Sequence, residues 1–225
     1  MSIKENIEKL RGEIAFECER NGRTPDEITL VAASKYADVD GIQQAYDTGI
    51  RNFGENRIQE AIAKMAHLPK DIRWHMIGHL QRNKVTKTVG SFVSIHSVDS
   101  IRLAEKIEYV ANRMKLLQPL MLEVNLSGEE SKFGVESDST IQIARILATM
   151  NHIDFNGLMT VAPYTDNDEA IQRIFSSLRR LRDRISNELN IELPHLSMGM
   201  TNDWRIAIAE GATHLRIGSA IFVGA

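Results

Sequence analysis

The chain has 225 residues, 43% of them hydrophobic and 25% charged, an ordinary composition for a globular protein with room for one large α/β domain. Its formal net charge of −3 provides no general attraction to nucleic acid or to an anionic membrane surface, and we expect neither partner. The single cysteine, Cys18, excludes an internal disulfide, and the lack of a signal-peptide core or a membrane-length apolar run predicts a cytoplasmic protein.

Short apolar or β-branched runs alternate along the chain with polar segments of helical periodicity. The first element is an amphipathic helix over residues 2–20, in which apolar residues recur every three or four positions. Eight strands are predicted over residues 28–33, 51–54, 73–78, 92–97, 120–126, 155–161, 195–198 and 214–217. The helices between them are predicted over residues 38–48, 57–66, 81–89, 100–114, 139–150, 168–189 and 201–210.

Eight strands separated by helices favour a parallel sheet, because each crossover helix returns the chain to the same edge. Closing these units gives an α/β fold, a single (β/α)8 TIM barrel with an extra N-terminal helix. No linker or low-complexity stretch divides the sequence, so we expect one domain over residues 1–225. A doubly wound open sheet is the structural alternative.

Lys35 lies just after the first predicted strand, at the strand end where TIM barrels place their functional residues. A lysine in a largely apolar mouth loses solvation, and its amine then tends to become neutral. A neutral amine is the form that condenses with an aldehyde, so Lys35 is a candidate for Schiff-base chemistry. The alternative is a lysine whose ammonium group reaches solvent at the strand end.

The loops after the last two predicted strands combine glycine with hydroxyl side chains. The first reads SMGMTND over residues 197–203, and the second begins with Gly218 and Ser219. Unpaired amides at a helix start bind phosphate, and phosphate sites in this fold often lie between these two loops. For the first loop alone, an ordinary helix N-cap from one of residues 201–203 explains the pattern equally well.

Arg216 alternates with the apolar residues Leu215 and Ile217 and is therefore predicted to point into the barrel. A buried arginine needs an acceptor. A ligand ring nitrogen would serve, and so would a core carboxylate such as that of Glu123 on the fifth strand. The pattern alone does not choose between them.

Other polar residues near strand ends are weaker candidates. Glu55 and Asn56 close the second strand and His79 follows the third, so each either lines the mouth or caps the next helix. His75 and His96 alternate within strands and are interpreted as packed or hydrogen-bonded core histidines. The histidine spacing does not match a known metal motif, and no metal is expected.

Six segments resemble the pyridoxal phosphate homeostasis proteins, also called the YggS/PROSC family. In chain order they are LVAASKY (30–36), FGENRIQE (53–60), WHMIGHLQRNK (74–84), SIHSVDS (94–100), LSMGMTNDW (196–204) and LRIGSAIF (215–222). Each is weak alone, but six in the correct order, from about residue 28 onward, make the resemblance specific. The family has a barrel similar to the N-terminal domain of alanine racemase, without the second domain.

The resemblance implies that pyridoxal 5'-phosphate forms a Schiff base on Lys35. It implies that Arg216 faces the pyridine nitrogen and that Asn56 and His79 line the pocket. It assigns the phosphate site, through hydroxyls and backbone amides, to Ser197, Gly199, Met200, Thr201, Gly218 and Ser219.

Three positions depart from the family pattern. Tyrosine is common where Arg57 stands, serine where Thr201 stands and threonine where Ser219 stands. The last two changes keep a hydroxyl, and Arg57 belongs to the pocket edge. The family pattern also continues a little beyond the short C-terminal tail at 222–225.

An arginine opposite the pyridine nitrogen keeps that nitrogen unprotonated and weakens the ring as an electron sink. Racemisation also needs an acid and a base on opposite faces of the cofactor. Lys35 can serve one face, but the second domain that supplies the other group in alanine racemase is missing. Tyr36 and Tyr164 are the tyrosines near strand ends, and neither has a clear reason to face the cofactor.

We therefore expect a pyridoxal phosphate carrier rather than an enzyme. It would buffer or deliver the cofactor to apo-enzymes that need it, with effects on amino-acid and keto-acid pools. Because the family is often monomeric, a monomer is expected. The alternatives are a pyridoxal phosphate-dependent racemase-like enzyme and a sugar-phosphate barrel enzyme.

Overall fold

Eight parallel strands close into a barrel in the computed structural model. The structure describes residues 2–129 and 133–222, so only the first residue of the C-terminal tail at 222–225 is described. The strands are β1 (Thr29–Ala33), β2 (Asn52–Glu55), β3 (Arg73–Met76), β4 (Ser94–Val98), β5 (Gln118–Asn125), β6 (Val135–Glu136), β7 (Ile153–Met159), β8 (His195–Ser197) and β9 (His214–Ile217). Strand β1 pairs with β2 and β9, and β4 pairs with β5, which closes the ring. The short β6 pairs with β5 outside this ring. The predicted TIM barrel is confirmed, and the open sheet is wrong.

Helices cover the outside of the barrel. They are α1 (Ile3–Arg20), α2 (Val39–Asp47), α3 (Ile58–Met65), α4 (Val85–Thr88), α5 (Ile101–Met114), α6 (Ser137–Leu147), α7 (Asp168–Leu189), α8 (Trp204–Ala209) and α9 (Ser219–Phe222), with 3-10 turns at Pro25–Glu27 and Arg82–Lys84. The extra N-terminal helix α1 begins with a capping box between Ser2 and Glu5. It packs against α2, α8 and α9, and Asn6 donates a hydrogen bond to the carbonyl of Ile221. No helix within the described ranges is long and apolar enough to cross a bilayer.

The start of the eighth helix differs from the prediction. Residues 201–203 form a turn, and α8 begins only at Trp204. The carboxylate of Asp203 accepts a hydrogen bond from the Met200 amide, and the amides of Asp203 and Trp204 both donate to the Met200 carbonyl. This closed turn keeps the residues before Trp204 out of the helix.

The barrel interior is unusually polar. TIM barrels normally fill this space with branched apolar side chains, but here His75, His96, His195 and His214 lie together with Arg216. The rings of His75 on β3 and His214 on β9 have centroids 6.1 Å apart. Because β1 and β2 separate these strands in the ring, the two side chains meet through the interior. The expectation that His75 and His96 are core histidines is confirmed.

Candidate functional site

Lys35 lies in a turn beyond the carboxyl end of β1. The Ser34 amide donates to the carbonyl of Gly54 (2.9 Å), and the Ala37 amide closes the turn on the carbonyl of Ser34 (3.0 Å). The Lys35 side chain is exposed, and its Nζ lies 5.0 Å from the centroid of the Tyr36 ring. The expectation that an apolar mouth desolvates this amine is therefore wrong, because the turn carries the lysine out of the barrel wall into solvent.

A buried ion pair supports this turn from the outer side of the barrel. Glu55 is fully buried, and its Oε1 accepts hydrogen bonds from the Ser34 hydroxyl (2.7 Å) and from Lys64 Nζ on α3 (2.8 Å). Lys64 Nζ also donates to the Ser34 carbonyl (2.8 Å). Glu55 therefore neither lines the mouth nor caps α3. Sequence reasoning missed Lys64, which a search for a cation opposite Glu55 on the following helix would have found.

Gly199 allows the loop after β8 to turn tightly against the barrel. Its φ is +95°, and an added Cβ would lie 2.7 Å from the Ala207 side chain and 2.9 Å from that of Leu215. The carbonyl of Gly199 accepts a hydrogen bond from the Arg216 amide (2.9 Å), which fixes the loop to β9. The next amide, that of Met200, is already bonded to Asp203. This differs from the expectation that the Met200 amide is free to hold a phosphate.

The two loops predicted to hold an anion do meet. The hydroxyl of Ser219 lies 3.0 Å from that of Thr201. Gly218 permits the second loop to approach β1, since a Cβ there would lie 2.9 Å from the Ala33 carbonyl oxygen. Within the described chain, the amides of Thr201, Asn202, Ser219 and Ala220 have no protein acceptor. Two hydroxyls and several free amides therefore lie together near the turn of Lys35.

Arg216 is buried, as its alternation predicts. Its Nη1 donates to the Ser197 hydroxyl (2.6 Å) and its Nη2 to the Thr160 carbonyl (2.9 Å). Of the five N–H groups of a guanidinium, these bonds use two. Burial lowers the pKa of Arg216 to about 10, so the side chain remains a cation at neutral pH.

Glu123, the alternative acceptor for Arg216, makes no side-chain hydrogen bond within the described residues. It lies on β5 and is 7% exposed. Burial raises the pKa of its carboxyl to about 7; the nearby charge of Arg216 opposes this shift and that of Asp99 adds to it. The Arg216 cation therefore has no bonded carboxylate among the described residues.

The hydroxyl of Ser197 lies inside the barrel rather than in the loop. It is fully buried, accepts the hydrogen bond from Arg216 and lies 2.8 Å from Nδ1 of His96. The expected role of this hydroxyl in a phosphate site does not fit these partners. The sequence places residue 197 near the end of a strand, but does not show which way its side chain points.

Asn56 and His79 lie together at the ends of β2 and β3. An added Cβ on Gly78 would lie 2.6 Å from the Cα of Asn56, and both predicted residues line a cavity of about 390 Å³. His79 Nδ1 lies 2.9 Å from a carboxylate oxygen of Asp99, and its ring stacks on Phe133 with centroids 3.9 Å apart. No hydrogen bond within the described ranges joins this pair to the loops after β8 and β9.

The chain matches the family described as alanine racemase, N-terminal domain, over residues 14–225. The pyridoxal phosphate homeostasis protein of Aquifex aeolicus is 40% identical over 223 residues, which cover 99% of this chain and 98% of that protein. The protein of the same name from Pseudomonas aeruginosa is 37% identical over 224 residues, 98% and 95% of the two chains. This chain belongs to the pyridoxal phosphate homeostasis protein family.

Solved structures agree with this membership in the pyridoxal phosphate homeostasis protein family. PipY of Synechococcus elongatus, solved with pyridoxal phosphate bound, superposes with a TM-score of 0.88 at 36% identity, covering 98% of this chain and 100% of PipY. A protein of unknown function from Bifidobacterium adolescentis superposes with a TM-score of 0.92 at 39% identity, covering 98% and 94%. Alanine racemase of Clostridium difficile shares the fold, with a TM-score of 0.71 at 15% identity over 52% of its chain.

Proposed function

We propose that this protein binds pyridoxal 5'-phosphate as a Schiff base on Lys35 and holds it for supply to other proteins. The observation that carries the proposal is Arg216, a buried cation with no bonded carboxylate among the described residues and with N–H donors left over. It lies on β9, which pairs with the strand that precedes Lys35. Relatives named for pyridoxal phosphate homeostasis, and the cofactor bound in PipY, support the same conclusion.

The residues near the carboxyl ends of β1, β8 and β9 fit this cofactor. Lys35 supplies an accessible amine. The Thr201 and Ser219 hydroxyls and the free amides around them supply donors for a phosphate. Arg216 supplies N–H donors that match an unprotonated ring nitrogen. Bound in this way, the cofactor supplies an aldehyde carbon and an electron-accepting ring.

Arg216 also favours a carrier over an enzyme. Its pKa of about 10 keeps it charged at neutral pH, and a cation beside the ring nitrogen opposes the protonation that makes the ring a strong electron acceptor. Tyr36 and Tyr164 are 91% and 95% exposed, so neither is held in place as an acid or base. We infer that the protein is cytoplasmic, forms one domain, acts as a monomer and passes the cofactor to apo-enzymes.

A second candidate function, a racemase-like enzyme, is favoured by one observation. Glu123 is a buried carboxyl whose pKa of about 7, raised by burial, would allow it to exchange protons near neutral pH. This candidate predicts that the loaded protein exchanges the α-proton of amino acids with deuterium from the solvent faster than free pyridoxal phosphate does. The carrier predicts no such acceleration.

The first experiment is an absorption spectrum of the protein incubated with pyridoxal phosphate and then desalted. We expect a visible band in the wild type that is absent from Lys35→Ala, and borohydride reduction followed by mass analysis should locate the cofactor on Lys35. Lys84→Ala is the matched control, because Lys84 lines the cavity beside Asn56 and His79. A wild type that stays colourless and unmodified would overturn the proposal and favour the sugar-phosphate barrel enzyme.

A further inference from the structure

A continuous series of hydrogen bonds runs through the barrel interior beneath Arg216. Arg216 Nη1 lies 2.6 Å from the Ser197 hydroxyl, which lies 2.8 Å from His96 Nδ1. His96 Nε2 lies 3.0 Å from His75 Nδ1, and His75 Nε2 lies 3.0 Å from the amide oxygen of Asn52. We call these five residues the interior relay. It connects β9, β8, β4, β3 and β2, and it ends at the first residue of β2.

The two ends of the interior relay fix the direction of every bond in it. A guanidinium only donates and an amide oxygen only accepts. His75 must therefore carry its proton on Nε2, and His96 must donate from Nε2 to the free Nδ1 of His75. The Ser197 hydroxyl then donates to His96 and accepts from Arg216. Each neutral imidazole has one proton and uses both nitrogens, so the series is complete.

Packing holds the interior relay in this arrangement. The ring of His214 lies edge-on to that of His96, with centroids 5.4 Å apart, and the ring of His195 lies 4.8 Å from that of His214. His75 and His96 are both buried. Burial also lowers the pKa of both imidazoles, that of His75 to about 3, which keeps them neutral. A neutral, fully bonded network in a low-dielectric interior is rigid.

We propose that His96 and His75 are positioning residues that act through Ser197 to hold Arg216 with its unused N–H donors directed at the ring nitrogen of a bound pyridine ligand. This inference rests on the proposed function. The relay matters because Glu123 interacts electrostatically with Arg216 and provides a competing partner. Because the Ser197 hydroxyl donates its proton to His96, its oxygen lone pairs accept from Arg216. This bond keeps the guanidinium away from the Glu123 carboxyl.

The decisive test compares pyridoxal phosphate with its deaza analogue, in which carbon replaces the ring nitrogen. We expect His96→Leu to weaken binding of pyridoxal phosphate by about tenfold and to weaken the analogue much less, because only the first ligand presents an acceptor to Arg216. His96→Asn keeps an acceptor for the Ser197 hydroxyl and should recover part of the loss. His195→Leu, which replaces a ring that packs on His214 rather than on a relay residue, should affect both ligands equally.

Equal weakening of both ligands by His96→Leu would overturn the inference, because a purely structural role predicts that result. A wild type that binds both ligands equally would also overturn it and would leave the proposed function intact. A wild type that binds neither ligand would contradict both this inference and the proposed function. If His96→Leu fails to fold, the imidazole nitrogen chemical shifts of the unliganded wild type test the proton positions in the relay instead. Protons on Nε2 of His75 and His96 are expected, and the opposite tautomer or a charged ring would contradict the relay.

Discussion

The Ser219 hydroxyl donates a 3.0 Å hydrogen bond to the Thr201 hydroxyl and so joins the loop after β8 to the start of α9. Since Ser219 gives its only hydroxyl proton to Thr201, the proton of Thr201 remains available to an anion. Thr201→Ala should therefore weaken binding of pyridoxal phosphate by about tenfold or more, the usual value of a hydrogen bond to a charged group. Ser219→Ala should weaken it less.

Pyridoxal without its phosphate provides the discriminating measurement for this prediction. Its affinity, followed by titration, should not change in either variant, because the lost donors face the phosphate. Thr149→Ala removes a threonine hydroxyl beyond the end of α6 and serves as the matched control. Equal effects on both ligands would mean that the hydroxyl pair holds the fold rather than the phosphate.

Gly199 should be among the glycines least tolerant of substitution. Gly199→Ala combines a φ of +95° with a Cβ placed 2.7 Å from the Ala207 side chain, and we expect the free energy of unfolding to fall by about 2–4 kcal/mol. Gly12→Ala is the matched control, because Gly12 lies within α1 with open space around it. That change should raise stability by about 0.5–1 kcal/mol. Urea unfolding measures both, and a neutral Gly199→Ala would contradict this tight turn after β8.

The pH dependence of stability should reveal Glu123. Its folded pKa of about 7 lies above the ordinary value of 4.5, mainly because the carboxyl is buried. The protonated carboxyl thus stabilises the folded state at low pH, and this contribution is lost as the pH rises through 7. Glu123→Gln has no carboxyl to ionise, so it does not lose this stability as the pH rises. Its stability relative to the wild type should therefore increase by about 2–3 kcal/mol between pH 5 and pH 8.

Urea unfolding at the two pH values measures this difference. The matched control is Glu192→Gln, which removes the carboxyl of an exposed glutamate instead of a buried one. A Glu123→Gln variant that tracks the wild type at both pH values would show that the carboxyl ionises freely in the folded protein.

Periodicity predicted the barrel and the positions of all eight of its strands, because each strand and helix buries a face that local sequence can show. It could not show side-chain direction at a strand end, so Ser197 was assigned to the loop although it bonds inside the barrel. It left open whether Lys35 is desolvated or reaches solvent, and the turn after β1 exposes it. Local sequence patterns could not predict contacts between residues far apart in the chain, such as His96 and Ser197, which are 101 residues apart.

The buried pair of Glu55 and Lys64 should contribute strongly to stability. Lys64→Met leaves the fully buried Glu55 carboxylate without its cation, and removing one partner of such a pair typically costs about 3–5 kcal/mol. Adding Glu55→Gln to Lys64→Met should recover most of that loss, because no buried charge remains. Arg57→Met breaks the exposed pair with Glu60 and should cost less than about 1 kcal/mol.

The same variants test whether this pair supports the turn of Lys35. Lys64 Nζ donates to the Ser34 carbonyl, so its loss frees the residue that begins the turn. Lys64→Met should therefore slow the reaction of Lys35 with pyridoxal phosphate, followed by absorbance, at temperatures where the variant is fully folded. An unchanged rate in a folded but destabilised Lys64→Met would confine the pair to a structural role, because the amine would then be positioned without it.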